Sequence, residues 1–87
     1  MSQGEKKMTI AKTSLWYCDA SSDKVYVATV TETDGVYTVK GEWGRRGRNM
    51  QNQIKGTFGN KWAAIVAYND LVGSKTSKGY QVTEKIA

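Results

Sequence analysis

Residues 24–43 read Lys-Val-Tyr-Val-Ala-Thr-Val-Thr-Glu-Thr-Asp-Gly-Val-Tyr-Thr-Val-Lys-Gly-Glu-Trp, and this stretch decides the fold class. Lys24 to Thr31 is dense in β-branched residues, which fit a pleated, half-buried strand. Thr33-Asp34-Gly35 is turn chemistry, and Asp-Gly between two β-branched runs is a strong hairpin signal. Val36 to Trp43 is then the returning strand. Side chains alternate across a strand, so Tyr37, Val39, Gly41 and Trp43 share one face, and Val36, Thr38, Lys40 and Glu42 share the other. The first face is the apolar one and is expected to look toward the core. Trp43 closes it at the strand's end.

Working outward, Leu15 to Asp19 is a short aromatic run and an expected strand, with Ala20 to Asp23 as a turn. Asp19, Asp23 and Asp34 read as turn formers. Residues 1–13 are polar and aperiodic, and are expected to form a flexible N-terminal tail. Asn49 to Phe58 reads as a further, more polar strand. From Gly59 the period changes. Trp62, Ala64, Ile65, Tyr68, Leu71, Val72 and Lys75 fall at helical spacing, with Asn60 as a candidate N-cap and Gly79 as a candidate C-cap. Tyr80 to Thr83 is either a last short strand or an extended tail. Strands followed by one helix, without strand–helix repeats, predict an α+β domain: a small antiparallel sheet with one helix packed on one face. The single domain is expected over residues 14–87.

Eighty-seven residues with three Trp, five Tyr and one Phe suffice for one small aromatic core. Trp16, Tyr17, Trp62 and Tyr68 are assigned to it. The single cysteine, Cys18, excludes an internal disulfide and reads as a small buried or half-buried hydrophobe. No apolar run is long enough for a signal segment or a membrane span, so a reducing, cytoplasmic location is expected. There is no histidine, which removes the commonest general base, an activator for the lone thiol, and Cys/His metal sites. Neither the P-loop nor the dinucleotide fingerprint is present. No enzymatic activity, cofactor or metal is expected.

The net charge is +5 and it is unevenly spread. Residues 40–55 hold Lys40, Arg45, Arg46, Arg48 and Lys55 against Glu42 alone, five cations less one anion, or +4. Within them, Glu42 to Arg48 reads Glu-Trp-Gly-Arg-Arg-Gly-Arg. Arginine presents a planar cation suited to phosphate. Tryptophan presents a flat face for a sugar or base, and the glycines let the backbone turn sharply. An anion-binding turn with an aromatic platform is expected here, and nucleic acid is the obvious polyanion. Each residue also has a plainer reading. Trp43 at a strand end suits the core, Arg45 suits an ion pair with Glu42 or a nearby carboxylate, Arg46 and Arg48 suit a solvated surface, and Gly44 and Gly47 suit any turn.

The order of these residues resembles the WGR domain, named for a Trp-Gly-Arg signature, here Trp43-Gly44-Arg45. Trp16-Tyr17, Tyr26 and the hairpin precede the signature. It extends as Trp-Gly-Arg-x-Gly through Arg46 and Gly47. Phe58, Ala64, Tyr68, Leu71, Lys75 and Lys78-Gly79-Tyr80 follow it. The resemblance covers about Leu15 to Val82. It implies a curved antiparallel sheet with one helix against it and a nucleic-acid-binding role. In poly(ADP-ribose) polymerases the domain holds a DNA break near the 5′ end; it also occurs in bacterial stand-alone proteins. The resemblance implies that Trp43 packs on a terminal sugar, that Arg45 contacts DNA and neighbouring domains, and that Lys55 adds a phosphate contact. Arg46 departs from the pattern, because that slot is usually aliphatic.

The expected site is therefore Trp43, Gly44, Arg45, Arg46, Arg48, Lys55 and Lys40. The expected partner is DNA, with RNA not distinguished, contacted at ends or breaks without sequence reading. A separate protein partner is a second expectation, an acidic protein or neighbouring domain docked on the same face, and no membrane association is expected.

Overall fold

Asp34 and Gly35 take φ values of 50° and 78°, the two positive angles that a two-residue type I′ turn requires. The strands on either side, β2 (Ser22–Thr33) and β3 (Val36–Arg45), pair antiparallel from Thr33↔Val36 to Lys24↔Arg45. The hairpin expected from the sequence is thus present, and it is the centre of the sheet. In the computed structural model, which describes residues 7–86, it is joined by β1 (Met8–Asp19), β4 (Gln51–Phe58), α1 (Lys61–Ser77) and β5 (Gln81–Ile86). The sheet order is β4-β3-β2-β1-β5, antiparallel throughout.

β1 is longer than its aromatic segment suggested. It begins at Met8 and pairs with β2 from Met8↔Glu32 onward. Residues 8–13 of the expected tail are therefore sheet, and the rest of that expectation, on residues 1–6, lies outside the described residues. The physical reason is alternation. Ala11, Thr13 and Leu15 are all buried on one face, and two small or polar residues out of three conceal the pattern. The β1–β2 turn is closed by Asp19, whose Oδ1 accepts from the Ser21 N–H at 2.9 Å. Asp19 is the turn former the sequence indicated.

Alternation also builds the core. Leu15, Tyr26, Ala28, Val30 and Val39 are buried from the sheet, and Ala64 and Tyr68 from the helix. Tyr68 shares a hydrogen bond with Thr13, which satisfies the one buried polar side chain of β1. The opposite sheet face is a polar, open concavity lined largely by Thr29, Thr31, Thr38, Lys12 and Lys40.

The helix is capped as its sequence indicates. The Asn60 side chain accepts from the Ala63 N–H at 3.1 Å. At the other end Gly79 has a φ of 105°. The Tyr80 N–H returns to the Lys75 carbonyl and the Gly79 N–H to that of Thr76, a Schellman closure. The assignments of Trp16, Tyr17, Trp62 and Cys18 fail. Trp16 and Tyr17 are half-buried and stand outside the core cluster. Trp62 is 74% exposed, because about 100° per residue puts it some 160° from Ala64 around the helix. Cys18 is exposed, too. It lies beyond the last buried residue of β1, where the strand runs out past the core.

Gly41 decides how the core meets the site. The ring of Tyr26 lies across it, and a Cβ added there would overlap the Tyr26 hydroxyl. That hydroxyl is buried and has no hydrogen-bond partner among the described residues. Gly41→Ala is expected to displace the ring and cost about 1–3 kcal/mol, as overpacking does. Tyr26→Phe removes an unsatisfied buried hydroxyl and is expected to be neutral or stabilising. Urea unfolding of both variants checks the pair of signs.

Candidate nucleic-acid interface

Trp43, Gly44 and Arg45 are strand residues. They pair with Tyr26, Val25 and Lys24 of β2, so the turn expected over 42–48 begins only at Arg46. Gly44 is required by close approach. A Cβ there would come within 3.2 Å of the Asn49 carbonyl oxygen and 3.3 Å of the Met50 Cα, so the turn backbone folds against it. Gly47 has a φ of 85°, and the Arg48 N–H closes on the Arg45 carbonyl at 3.0 Å.

Trp43 is half-buried. One side of its ring stacks on Tyr26, with centroids 6.1 Å apart and planes 12° from parallel. Tyr80 meets Tyr26 edge-on at 6.3 Å. These three rings, with Gln53, Lys55 and Lys75, line a small open pocket of about 180 Å³. Lys55 reaches it because of a bulge. Gly56 pairs with Val39 and Ile54 with Lys40, which leaves Lys55 as the extra residue of β4, and a bulge re-aims a side chain. Its Nζ lies 5.8 Å from the Trp43 ring centroid. The Lys75 Nζ lies 4.5 Å from that of Tyr26.

Cations gather around these rings. Lys75 titrates below the ordinary lysine value, first because it is desolvated and then because Lys78, Lys55 and Lys24 repel its charge. Lys24 sits over Tyr17 at 5.1 Å and pairs in register with Arg45. Among the described residues the only ion pairs are Arg46–Asp23 at 3.2 Å and Lys40–Glu42 at 4.0 Å. Lys24, Arg45, Arg48, Lys55, Lys75 and Lys78 therefore form no ion pair with any of the described carboxylates, although the Arg45 charge is near enough to Asp23 to help hold its carboxyl below the usual range.

The seven expected site residues do not all meet. Trp43, Arg45 and Lys55 share the helix side of the sheet with the pocket, and Arg48 stands exposed on the adjoining turn. Lys40 is on the opposite face, beside Glu42 and the threonines. Glu42 thus pairs with Lys40 rather than with Arg45, because residues 42 and 45 project to opposite faces. Arg46 is exposed, as expected, but it is not free. Its Nε donates to Asp23 and its guanidinium lies 5.2 Å from the Trp16 ring centroid. Asp23 is accordingly a strand residue holding an arginine, not a turn former.

Lys24, Tyr26, Lys75 and Tyr80 were missed as site residues. A signal for Lys75 existed. It continues the helical stripe of Ala64, Tyr68 and Leu71, so a cation falls where an apolar residue is expected. Nothing in the linear sequence places Tyr26 beside Trp43 except the hairpin register, which does so once the Asp34-Gly35 turn is fixed.

The sequence pattern of the WGR domain matches residues 11–86. The chain belongs to the WGR domain family, whose members generally serve as nucleic-acid-binding modules in poly(ADP-ribose) polymerase-like proteins and are binding rather than catalytic modules. No curated protein and no solved structure matches the chain. No helix among the described residues is long and apolar enough to cross a membrane.

The depressed titration of Lys75 has a stability consequence with a definite sign. Below the ordinary lysine value the unfolded chain holds this proton more tightly than the folded one, so stability rises with pH through that interval. Lys75→Met keeps the packing on Tyr26 without the charge. It is expected to leave the thermal midpoint at pH 7 unchanged or raised and to flatten the rise at alkaline pH. Thermal melts from pH 7 to 10.5 compare the two proteins.

Proposed function

We propose that this domain binds nucleic acid at strand ends or breaks, through phosphate and sugar rather than base edges. The observation that carries this reading is the pocket of Trp43, Tyr26 and Tyr80 with Lys55 and Lys75 above its rings. Flat aromatic faces favour an exposed sugar or terminal base. At about 180 Å³ the pocket suits one such group rather than a continuous duplex. Lys24 and Lys78 supply charge near Lys75, Arg45 lies in register with Lys24, and Arg48 follows on the adjoining turn; phosphate contacts of this kind position a ligand without reading sequence. Arg46 and Lys40 have no part in that contact. DNA is the favoured ligand by family role.

A second reading, docking of a neighbouring protein, is favoured by one observation. Trp62 is exposed near the start of the helix with Val66 beside it one turn on, about 20 Å along the helix from Lys75 at 1.5 Å per residue. The two surfaces are separate, and both readings can hold.

Titration of a linear duplex and a closed circle of equal length, across a salt series, tests the first reading. The linear form is expected to bind more tightly, and Trp43→Ala to lose about 1–3 kcal/mol of binding to it. Arg45→Ala with Arg48→Ala is expected to flatten the slope of log affinity against log salt by about 2, one for each lost phosphate contact. Equal binding of line and circle, or a folded double mutant with an unchanged slope, defeats the reading.

A further inference from the structure

Asp23 is the carboxylate closest to the arginine turn, and its contacts are specific. Its Oδ1 accepts from the Trp16 indole N–H at 2.6 Å. Its Oδ2 accepts from the Arg46 Nε–H at 3.2 Å. Its backbone carbonyl accepts from the Arg46 N–H at 3.0 Å. The Arg46 guanidinium in turn covers the Trp16 ring. Three strands, β1, β2 and β3, are thereby joined at one end of the sheet. Arg46 is the first residue after β3, so what fixes Arg46 fixes the start of the turn that carries Arg48. Residues 16, 23 and 46 all lie on the open face, behind the Trp43 pocket. None of them is placed to touch a ligand seated there.

We propose that Asp23 is a positioning residue for polyanion binding: an acid that strengthens the binding of a phosphate backbone by clasping Arg46 against Trp16. The proposal rests on the nucleic-acid reading given above. It assigns Arg46 to the clasp, so that Arg45 and Arg48 act on phosphate while the arginine between them does not. The clasp holds the Arg46–Met50 turn close over Gly44, and so sets where Arg48 stands relative to Arg45.

The opposing expectation is simple electrostatics. Removing a negative charge beside a basic site attracts a polyanion more strongly at every distance within a Debye length. The two accounts differ in sign. A short blunt DNA duplex with one fluorescent end, titrated against the whole chain across a salt series, reads that sign. Asp23→Ala is expected to weaken binding by about 3- to 10-fold, the scale of coupling between contacting residues, with no change in salt slope. Asp23→Asn keeps the acceptor for Trp16 and is expected to fall between the two. Arg46→Ala is expected to weaken binding at an unchanged slope, whereas a phosphate ligand would lower the slope by about 1. Asp23→Ala with Arg46→Ala is expected to cost little more than either alone. Hydrogen exchange in the free variants reports the clasp itself, with faster exchange at the Arg46 and Arg48 amides alone if the core is intact.

Wild-type protein that fails to bind the duplex overturns the nucleic-acid reading, and the proposal with it. Wild-type binding together with equal or tighter binding by folded Asp23→Ala overturns the proposal alone. So does a slope that falls by about 1 in Arg46→Ala.

Discussion

The phenol end of Tyr26 lies against the bare backbone of Gly41, and most of what distinguishes this domain depends on that contact. Any side chain at residue 41 would lift the ring. Seated there, it offers one face toward Trp43 at a near-parallel angle, an edge to Tyr80, and a surface over which Lys75 of the helix can extend. A single close approach between neighbouring strands therefore links the core, the helix and the candidate site. Its cost is a buried hydroxyl without a partner among the described residues. An unsatisfied buried group is worth about 1–3 kcal/mol, a notable fraction of the stability of a chain this small.

Much of this order could be read in advance, and the reasons are local. Asp34-Gly35 specifies one turn type, and one turn type specifies register. Register then puts Tyr26 opposite Trp43 and Lys24 opposite Arg45. Asn60 and Gly79 mark the helix ends because each performs a backbone task that few residues perform. What could not be read depends on three dimensions. Thr13 is buried because Tyr68, fifty-five residues away, supplies its partner. Lys55 faces the pocket because β4 carries an extra residue opposite Val39 and Lys40, and no local pattern announces a bulge. Trp62 shows a different failure. It satisfied a loose count of helical spacing, but its angle around the axis places it opposite Ala64.

The same alternation explains the divided duties of the arginines. Arg45 is the last residue of β3 and projects to the helix side, where it joins Lys24, Lys55 and Lys75. Arg46, one residue on, is drawn to the other side, where Asp23 and Trp16 meet it. A string of adjacent like charges therefore does not form one continuous basic patch. Counting cations along a sequence overstates the charge that one ligand can meet, and here it also includes Lys40, which the strand period sends to the opposite face with Glu42.

The lysine cluster is best understood as unfavourable in the free protein. Lys75 is desolvated against Tyr26 and repelled by Lys78, Lys55 and Lys24, with none of the described carboxylates paired to it. Packing alone would favour a methionine or leucine there, since the preceding helical positions are apolar. A cation held where burial and its neighbours both oppose it is a group whose charge is stabilised when an anion arrives. On the nucleic-acid reading proposed above, a phosphate placed between Lys55 and Lys75 would relieve the repulsion. Electrostatic strain of this kind is expected where a site is built for a charged ligand. It sets this corner apart from the open sheet face, where Lys40 already has a carboxylate beside it.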